Sequence, residues 1–420
     1  MAMNPYLAKL PALKMDSILE TAQLAKADNH PQKIDVVVGA YRDGNAKPYI
    51  LPSVLEAERR LLAQLAAGQR NKEYEPTEGF QPFCEAAVKL LYGSDLPPMD
   101  TIAKLAALSG TGAVRIAAAV FAATAPAGST IYCSKETWPN HFPVARQSGF
   151  KNCVSYRYFE PKTKGLDYDG MMSDLAGAAP GSVVIVHGAG HNPTGVDLST
   201  AQWDQFASIA KSKQWFVILD SAYQGYASGD LERDGYGARA LARAKVFSAS
   251  CQSFAKNMGL YGDRCGCVAF LAWDKAAATR VLNYAKAAVA RPMYSSPPII
   301  GYRIAHIVLT DPVLRPQWEL ELQAMSARIR RVRKILFDEL QRLKTPGKWD
   351  HVVSQIGMFS YLGITTADVD ALRLRYHIYM LPEGRVSMAG LNDESAVRFA
   401  RALDDVLRNP QAKKQQPSKL

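Results

Sequence analysis

Short apolar runs separated by longer amphipathic stretches are the dominant pattern along the chain. Runs that indicate buried strands lie at residues 183–187, 216–219, 246–249 and 268–271. Each run is followed by a polar or glycine-containing turn, and helical patterns occupy much of the chain between such runs. This alternation is typical of an α/β domain built on a mostly parallel sheet, in which ligands bind beyond the carboxyl ends of the strands.

The later part of the chain indicates a second, smaller lobe. An amphipathic pattern over residues 320–343, beginning after Pro316, predicts one long helix that leads into it. Within residues 357–388, short strand patterns surround a helical pattern at residues 367–376. These patterns predict a small α/β lobe after the long helix.

The predicted domain boundaries follow from these elements. A large domain is expected over residues 50–324, and a small domain is expected from residues 1–49 together with residues 325–412. Residues 413–420 form a polar tail. With 420 residues, 48% of them hydrophobic, the chain is long enough to bury a large core and a second, smaller one.

The charge balance is basic, with a net charge of +11 and a sequence pI of about 9.2. Such a balance can serve nucleic-acid binding, but the lysines and arginines are spread along the chain. Their densest run, residues 328–334, lies on a helical pattern and is predicted to be a solvated helix face. No apolar stretch approaches the roughly 20 residues that a membrane span needs. We therefore expect neither nucleic acid nor a membrane as a partner, although some arginines are candidates for binding anionic small molecules.

The segment after the third apolar run holds the strongest candidate chemistry. Lys256 lies between Ser253 and Arg264. A lysine held among cations or in a dry pocket has a lowered pKa and becomes a nucleophile toward carbonyls. A serine hydroxyl and a guanidinium fork both suit phosphate. Together with the upstream Asp220, this spacing favours a functional Lys256 over an ordinary solvated lysine.

The other strand ends contribute weaker candidates. Asp220 follows the second apolar run, where a carboxylate can pair with a cationic ring nitrogen, and Tyr223 lies three residues later. Asn192 follows the first run, next to Pro193. Taken alone, a cap for the next turn explains Asp220 about equally well, and a structural turn explains Asn192 better.

A loop of small residues opens the helical pattern at residues 114–123. It contains Ser109, Gly110 and Thr111, and N–H groups at the start of a helix bind phosphate well. No Gly-Lys-Ser/Thr follows, and no G-x-G-x-x-G fingerprint follows the first strand, so the loop is neither a P-loop nor a dinucleotide site. The six cysteines match no zinc spacing, and no metal site is predicted.

Taken together, these motifs resemble those of the aspartate aminotransferase family, fold-type I of the pyridoxal-phosphate enzymes. The four hallmark segments match at residues 191–195, 220–229, 253–264 and 384–391. Further collinear matches cover nearly the whole chain, at residues 38–42, 73–76, 138–141 and 357–360. The resemblance implies a large domain with a mainly parallel seven-stranded sheet and a smaller α/β lobe.

The resemblance also implies pyridoxal 5′-phosphate as cofactor. Lys256 is expected to form the Schiff base with it and to shuttle the substrate proton. Asp220 is expected to pair with the protonated pyridine nitrogen, which keeps the ring an electron sink. Tyr223 and Asn192 would hydrogen-bond the phenolic oxygen, and Trp138 would stack on the ring.

The same matches assign the remaining cofactor contacts. His141 is expected to lie behind Asp220, and Tyr74 is expected to reach the phosphate from a neighbouring subunit. The resemblance thus implies a homodimer with shared active sites. The residues expected to hold the phosphate within the chain are Ser109, Gly110, Thr111, Ser253 and Arg264.

Two arginines indicate the substrate class. By the resemblance, Arg385 clamps the substrate α-carboxylate and Arg291 reads the distal carboxylate from the other subunit, both by bidentate pairing. Gly39, Trp138 and Asn192 are the other expected substrate contacts. The partners implied are small dicarboxylic amino acids and 2-oxo acids.

The expected reaction is the reversible ping-pong transfer of the amino group from L-aspartate to 2-oxoglutarate, giving oxaloacetate and L-glutamate. One departure opens an alternative. The family usually has asparagine where this chain has Ser296, and that change makes a broad-specificity aspartate/aromatic aminotransferase more plausible. A catalytically silent scaffold is disfavoured because Lys256, Asp220, Arg264 and Arg385 are all present.

The chain ends in Ser418-Lys419-Leu420, which matches a receptor-read peroxisomal address. We expect a cytoplasmic enzyme that this tail directs to a peroxisome-type microbody, including a glycosome. The alternative is a tail without function on a cytosolic enzyme.

Overall fold

Helices and strands alternate along the chain. The computed structural model describes residue 6, residues 9–11 and residues 17–409. The helices of these ranges are α1 (Ser17–Ala27), α2 (Pro52–Ala66), α3 (Gln81–Tyr92), α4 (Ser109–Thr124), α5 (His141–Gln147), α6 (Tyr168–Leu175), α7 (Thr200–Ser212), α8 (Leu231–Asp234), α9 (Tyr236–Arg243), α10 (Lys275–Tyr284), α11 (Arg291–Tyr294), α12 (Ile300–Thr310), α13 (Leu314–Arg342), α14 (His351–Ser354), α15 (Thr366–Tyr376) and α16 (Asp393–Arg408). The strands are β1 (Ile34–Asp35), β2 (Ile102–Leu108), β3 (Thr130–Ser134), β4 (Asn152–Tyr156), β5 (Phe159–Glu160), β6 (Gly165–Leu166), β7 (Val183–His187), β8 (Phe216–Ser221), β9 (Ser248–Ser253), β10 (Cys265–Leu271), β11 (Phe359–Tyr361), β12 (Ile378–Tyr379) and β13 (Arg385–Ser387).

A seven-stranded sheet forms the centre of the large domain, with the strand order β2-β10-β9-β8-β7-β3-β4. Strand β10 runs antiparallel to both of its neighbours, and the other pairings in the sheet are parallel. The expected mainly parallel seven-stranded sheet is therefore confirmed. The four sequence-predicted strands are β7 to β10, but β9 begins at Ser248 and continues to Ser253 because its ladder with β10 extends to Gly266.

Both faces of the sheet are covered by helices. Along β7, Val183 and Ile185 join an apolar cluster that includes residues of α4. The alternate residues Val184 and Val186 join a second cluster on the opposite face, with residues of α7. A strand buried on both faces has no polar alternation, which is why β7 is a continuous apolar run in the sequence.

The C-terminal part of the chain forms a smaller lobe to which the N-terminal segment is attached. Strand β1 pairs in parallel with β12, and β11 pairs antiparallel with β13. The predicted short strands around a helix in residues 357–388 are thus confirmed by β11, α15, β12 and β13. The proposed division into residues 50–324, residues 1–49 and residues 325–412 stays a prediction.

Helix α13 differs from the sequence-based prediction in two ways. It begins at Leu314 and not after Pro316, because a proline in the first helical turn removes no N–H that the helix needs. The predicted solvated face at residues 328–334 is also wrong in part. Arg330 and Arg331 are exposed, but Arg328 is half-buried and Arg333 is buried.

Two further observations concern the described residues. None of their helices is both long enough and apolar enough to cross a membrane. The six cysteines, all of which lie within the described ranges, are unpaired thiols. The terminal Ser418-Lys419-Leu420 lies outside the described residues.

The packing of α4 on the sheet leads to a stability prediction. The Phe121 ring is fully buried, with its centroid 5.3 Å from those of Phe216 and Phe247 and 5.8 Å from that of Phe270. We expect Phe121→Ala to lower the free energy of unfolding in urea by about 3–5 kcal/mol, through lost burial and the cavity left behind. The matched control is Leu374→Ala, because Leu374 is 40% exposed. Equal losses in the two variants would contradict this packing.

Candidate active site

The carboxyl ends of three adjacent parallel strands meet at one edge of the sheet. Asn192 follows β7, Asp220 lies near the end of β8, and Lys256 follows β9. Strand β2 also ends at this edge, and the antiparallel β10 begins there directly after Arg264. One cavity occupies this edge, and its lining residues are Ser109, Gly110, Thr111, Trp138, His187, Asn192, Asp220, Ala222, Tyr223, Ser253, Ala255, Lys256 and Arg264.

One end of the cavity is a cradle for an anion. Ser109 and Arg264 both adopt left-handed backbone conformations, with φ of 58° and 53°, which non-glycine residues adopt at a cost. The Ser109 N–H donates to the Arg264 carbonyl at 2.9 Å, and the hydroxyls of Ser109 and Ser253 lie 2.9 Å apart. A Cβ on Gly266 would lie 2.6 Å from the Ser109 carbonyl carbon, so the close approach requires glycine. The first N–H groups of α4 therefore open into the cavity beside a serine and a guanidinium, as phosphate binding requires.

Lys256 lies on the cavity wall as a nucleophile of lowered basicity. Its side chain is half-buried, and Nζ lies 4.9 Å from the centroid of the Tyr261 ring. Burial, reinforced by the nearby charges of Arg264 and Arg385, lowers the pKa of Lys256 to about 8. A substantial fraction of the amine is therefore neutral near neutral pH, the form that attacks a carbonyl.

Asp220 is a buried carboxylate kept ionised by histidine. Its burial opposes ionisation, but the hydrogen bond from His141 and the nearby His141 and His187 rings hold the pKa of Asp220 below its ordinary value. His141 Nε2 lies 3.1 Å from Asp220 Oδ2, and His141 Nδ1 lies 2.8 Å from the Thr137 hydroxyl. With Nε2 protonated toward Asp220, Nδ1 is left to accept from that hydroxyl.

The second oxygen of Asp220 tests whether the cavity fits pyridoxal phosphate. Asp220 Oδ1 is buried and has no hydrogen-bond partner among the residues that the structure describes. A buried acceptor of this kind needs a donor, and a protonated ring nitrogen supplies a charged one. The anion cradle, the Asp220 carboxylate and the Lys256 amine all line this cavity. Together they match the phosphate, the protonated ring nitrogen and the aldehyde of pyridoxal phosphate.

Three more predicted residues lie around the same cavity. Tyr223 is buried, and its burial together with the Asp220 charge raises the pKa of its hydroxyl, against the opposing charge of Arg385. Trp138 lines the cavity, edge-on to His141 with ring centroids 5.3 Å apart. The side-chain amide oxygen of Asn192, Oδ1, accepts from Arg385 Nη1 at 3.2 Å, which links the cavity to the neighbouring arginine.

Arg385 and Gly39 lie together in the small lobe. Arg385 is buried on β13, donates from Nη2 to the Val37 carbonyl at 2.7 Å, and lies 4.2 Å from the centroid of the Phe359 ring. A Cβ on Gly39 would lie 2.7 Å from Phe359 Cζ, so glycine is needed for the 37–39 segment to approach this ring. A fixed, buried guanidinium therefore lies next to the cavity wall.

Tyr74 and Arg291 are not brought into the cavity of their own chain. Tyr74 is 90% exposed, and Arg291 is exposed with Nη1 donating to the Ser295 hydroxyl at 2.6 Å. Tyr74 lines a surface depression together with Ser296 and Pro297. Their roles in a site shared between subunits stay predictions.

His187 is the main site residue that the sequence reasoning missed. It is the last residue of β7, and its ring lies 5.1 Å from that of His141 and 4.2 Å from that of His191. A polar residue ending a buried apolar run was the available signal. Ligand atoms of His141, His187 and Asp220 lie within 4.8 Å of one another, which is close enough for a metal ion. The pyridine nitrogen would compete for the same carboxylate, and the expectation of no metal stays a prediction.

Comparisons with known proteins define the class. The family described as aminotransferase class I and II matches residues 31–403, and the chain belongs to this family. It is therefore a pyridoxal-phosphate-dependent transaminase. The chain is 43% identical to the cytoplasmic aspartate aminotransferase of Dictyostelium discoideum, over 96% of its own length and 91% of that protein.

Solved structures of similar proteins have the same fold. The broad specificity aminotransferase of Leishmania mexicana is 40% identical with a TM-score of 0.92, covering 97% of this chain and 100% of that one. An aromatic-amino-acid aminotransferase from Burkholderia pseudomallei, covalently bound to pyridoxal phosphate, is 35% identical with a TM-score of 0.91 at the same coverage. The relatives thus include both aspartate and aromatic enzymes.

The environment of Lys256 leads to a prediction about pH. In the cofactor-free protein, the neutral fraction of the Lys256 amine should rise through pH about 8, because burial and two arginines lower its pKa. Labelling by acetic anhydride, followed by mass spectrometry, should therefore be half-maximal near that pH and not near the ordinary lysine value of about 10.4. Arg264→Met removes one neighbouring cation and should move the midpoint upward. A midpoint near the ordinary value in the unmodified protein would contradict the prediction.

Proposed function

We propose that this chain is an aspartate aminotransferase that reversibly transfers the amino group from L-aspartate to 2-oxoglutarate, giving oxaloacetate and L-glutamate. The observation that carries the proposal is the buried Arg385 guanidinium, hydrogen-bonded to Asn192 at the wall of the cavity that holds Lys256. A rigid guanidinium beside a nucleophilic amine suits a substrate that has a carboxylate next to its reacting centre. The 43% identity to an aspartate aminotransferase supports the choice of substrate.

The cavity residues would have different roles toward the bound cofactor. Pyridoxal phosphate supplies a protonated ring that withdraws electrons from the substrate α-carbon. Asp220 would hold the ring nitrogen protonated, and Tyr223 and Asn192 would hydrogen-bond the phenolic oxygen. Lys256 would hold the cofactor covalently and, once released, move the proton to and from the α-carbon, which its lowered pKa favours.

The remaining contacts follow from the same placement. Ser109, Gly110, Thr111, Ser253 and Arg264 would bind the phosphate at the start of α4, and Trp138 would cover the ring. For the substrate, Arg385 would bind the α-carboxylate, with Gly39, Trp138 and Asn192 around it.

We also propose a homodimer in which each subunit completes the other's site. In the single chain, Tyr74 and Arg291 lie at the surface outside the cavity, although the family resemblance assigns them to phosphate and distal carboxylate. A second subunit would bring both side chains to the cavity. If the sites are shared between subunits, Arg291 is expected to be exposed in the single chain.

A broad-specificity aspartate/aromatic enzyme is the second candidate. Ser296 replaces the usual asparagine and lies near Tyr74 at the proposed interface. A shorter side chain there would loosen the substrate pocket of the proposed dimer. The similarity to the broad specificity enzyme of Leishmania mexicana supports the same alternative.

The cell compartment is likewise a proposal. The similarity to a cytoplasmic relative supports a cytoplasmic enzyme. The terminal Ser418-Lys419-Leu420, outside the described residues, is proposed to direct it to a peroxisome-type microbody.

The absorbance of the purified protein tests the reaction and the substrate. With pyridoxal phosphate bound at Lys256, we expect a near-visible band that shifts when L-aspartate is added, because amino transfer converts the cofactor to its amine form. Lys256→Ala should abolish both the band of the covalently held cofactor and the shift. A comparable shift with L-tyrosine would favour the broad-specificity enzyme, and absence of any band after adding the cofactor would overturn the proposed function.

Mixing two inactive variants tests whether the sites are shared. Neither Lys256→Ala nor Arg291→Leu alone should turn over L-aspartate well. A mixed dimer, however, should contain one site with native Lys256 from one subunit and native Arg291 from the other. Refolding the two variants together should therefore restore aspartate turnover, with each variant refolded alone as the control. No recovery in a mixture shown to contain mixed dimers would mean that Arg291 acts within its own subunit, whereas undiminished turnover by Arg291→Leu alone would mean that Arg291 does not act on the substrate.

A further inference from the structure

Two arginines of helix α13 point into the protein, against backbone segments near Arg385 and Gly39. Arg333 is buried and Arg328 is half-buried, although Arg330 and Arg331 between them are exposed. In the described part of the chain, the hydrogen-bond acceptors of both inward guanidiniums are backbone carbonyls and one tyrosine hydroxyl, and none is a carboxylate. Burying the Arg333 cation without a hydrogen-bonded counter-ion is costly, so its contacts need a compensating role. Arg328 has the Asp43 carboxylate nearby, and the charge of Arg328 is one of the causes that lower the pKa of Asp43.

Arg333 holds the loop that leads into β11. Its Nη1 donates to the Val352 carbonyl at 2.9 Å, and its Nη2 donates to the carbonyls of Gly357, at 3.1 Å, and Phe359. One planar group thus joins α13 to α14, to the loop that follows α14 and to the first residue of β11. Because a guanidinium presents its donors in a rigid fork, it fixes the spacing of the three carbonyls.

The loop held by Arg333 supports the proposed carboxylate-binding residues. The Phe359 ring centroid lies 4.2 Å from Arg385 Cζ, and Gly39 approaches the same ring so closely that a Cβ would lie 2.7 Å from Phe359 Cζ. The ladder of β11 with β13 pairs Tyr361 with Arg385. A displaced Phe359 would therefore displace both Arg385 and the Gly39 backbone.

Arg328 holds two further backbone segments of the small lobe. Its Nε donates to the Tyr41 hydroxyl at 2.8 Å, and its Cζ lies 4.5 Å from the centroid of that ring. Its Nη1 donates to the Leu391 carbonyl at 2.8 Å, and its Nη2 donates to the carbonyls of Ala389, at 2.9 Å, and Arg42. Arg328 thus joins the segment after Gly39 to the segment after Arg385.

We propose that Arg328 and Arg333 are positioning residues for the substrate-carboxylate clamp, each joining α13 to backbone segments that set the place of Arg385 and Gly39. The inference rests on the proposed function, because it assigns Arg385 to the substrate α-carboxylate. Neither residue lines the cavity, so both act through the segments that they hold.

The test measures binding of succinate, a dicarboxylate without an amino group, to the cofactor-loaded protein by its effect on the near-visible absorbance. We expect Arg333→Met and Arg328→Met each to weaken succinate binding about tenfold or more, because small displacements of a clamp cost large factors in binding and rate. The KM values for L-aspartate and L-tyrosine should rise by similar factors, since both substrates have an α-carboxylate. The control is Arg331→Met on the same helix, whose exposed side chain pairs with Asp393, and it should change none of these values.

Lysine variants separate positioning from general destabilisation. Arg333→Lys and Arg328→Lys keep the charge but lose the fork, so they should fold, bind cofactor with an unchanged spectrum and still show weakened succinate binding. If either methionine variant does not fold, the corresponding lysine variant tests the inference. Succinate affinity equal to that of the unmodified protein would overturn the inference. The inference would also be overturned if the variants lost succinate binding only to the extent that they lost cofactor binding and thermal stability. If the unmodified protein binds no succinate and leaves L-aspartate unreacted, the proposed function fails, and the inference fails with it.

Discussion

The hydrogen bond between His141 and Asp220 is the interaction on which the site most depends. A carboxylate buried this deeply would ordinarily bind a proton, and a protonated Asp220 could not stabilise a cationic ring. His141 opposes protonation, and its own orientation is held by the Thr137 hydroxyl. The electron-withdrawing power of the bound cofactor therefore depends on His141 and Thr137 behind the carboxylate.

Two arginines lie near Lys256 in the proposed site. Arg264 and Arg385 both lower the pKa of Lys256, so the groups proposed to bind phosphate and substrate also prepare the nucleophile. Once anions occupy both arginines, the same lysine should become more basic, which suits a group that must then accept a proton. Binding and proton transfer are thus coupled through charge and not through contact.

The sequence predicted the cofactor cavity better than its surroundings. Parallel strands place their carboxyl ends at one edge, so Asp220 and Lys256 could be assigned to one site from the ends of two apolar runs, whereas the role of Asn192 came from the family resemblance. The resemblance added roles for Tyr223 and Trp138, which lie at that cavity. His187 was missed because a histidine closing a buried strand is more often a core residue than a site residue. The solvated face predicted for residues 328–334 was wrong for Arg328 and Arg333, because helical spacing shows where side chains point relative to one another but not which loops pack against each face.

By itself the sequence determined the order of the elements, the mainly parallel sheet and the types of side chain that lie at the carboxyl edge of that sheet. These follow from local periodicity and from motif residues in a collinear order. Only the tertiary structure decided that Ser109 and Arg264 meet, each in a left-handed backbone conformation, that Asp220 Oδ1 has no partner among the described residues, and that Arg333 supports the segment next to Arg385. Each of these depends on contacts between segments far apart in the chain, whose distances are set by packing and leave no mark in local sequence pattern.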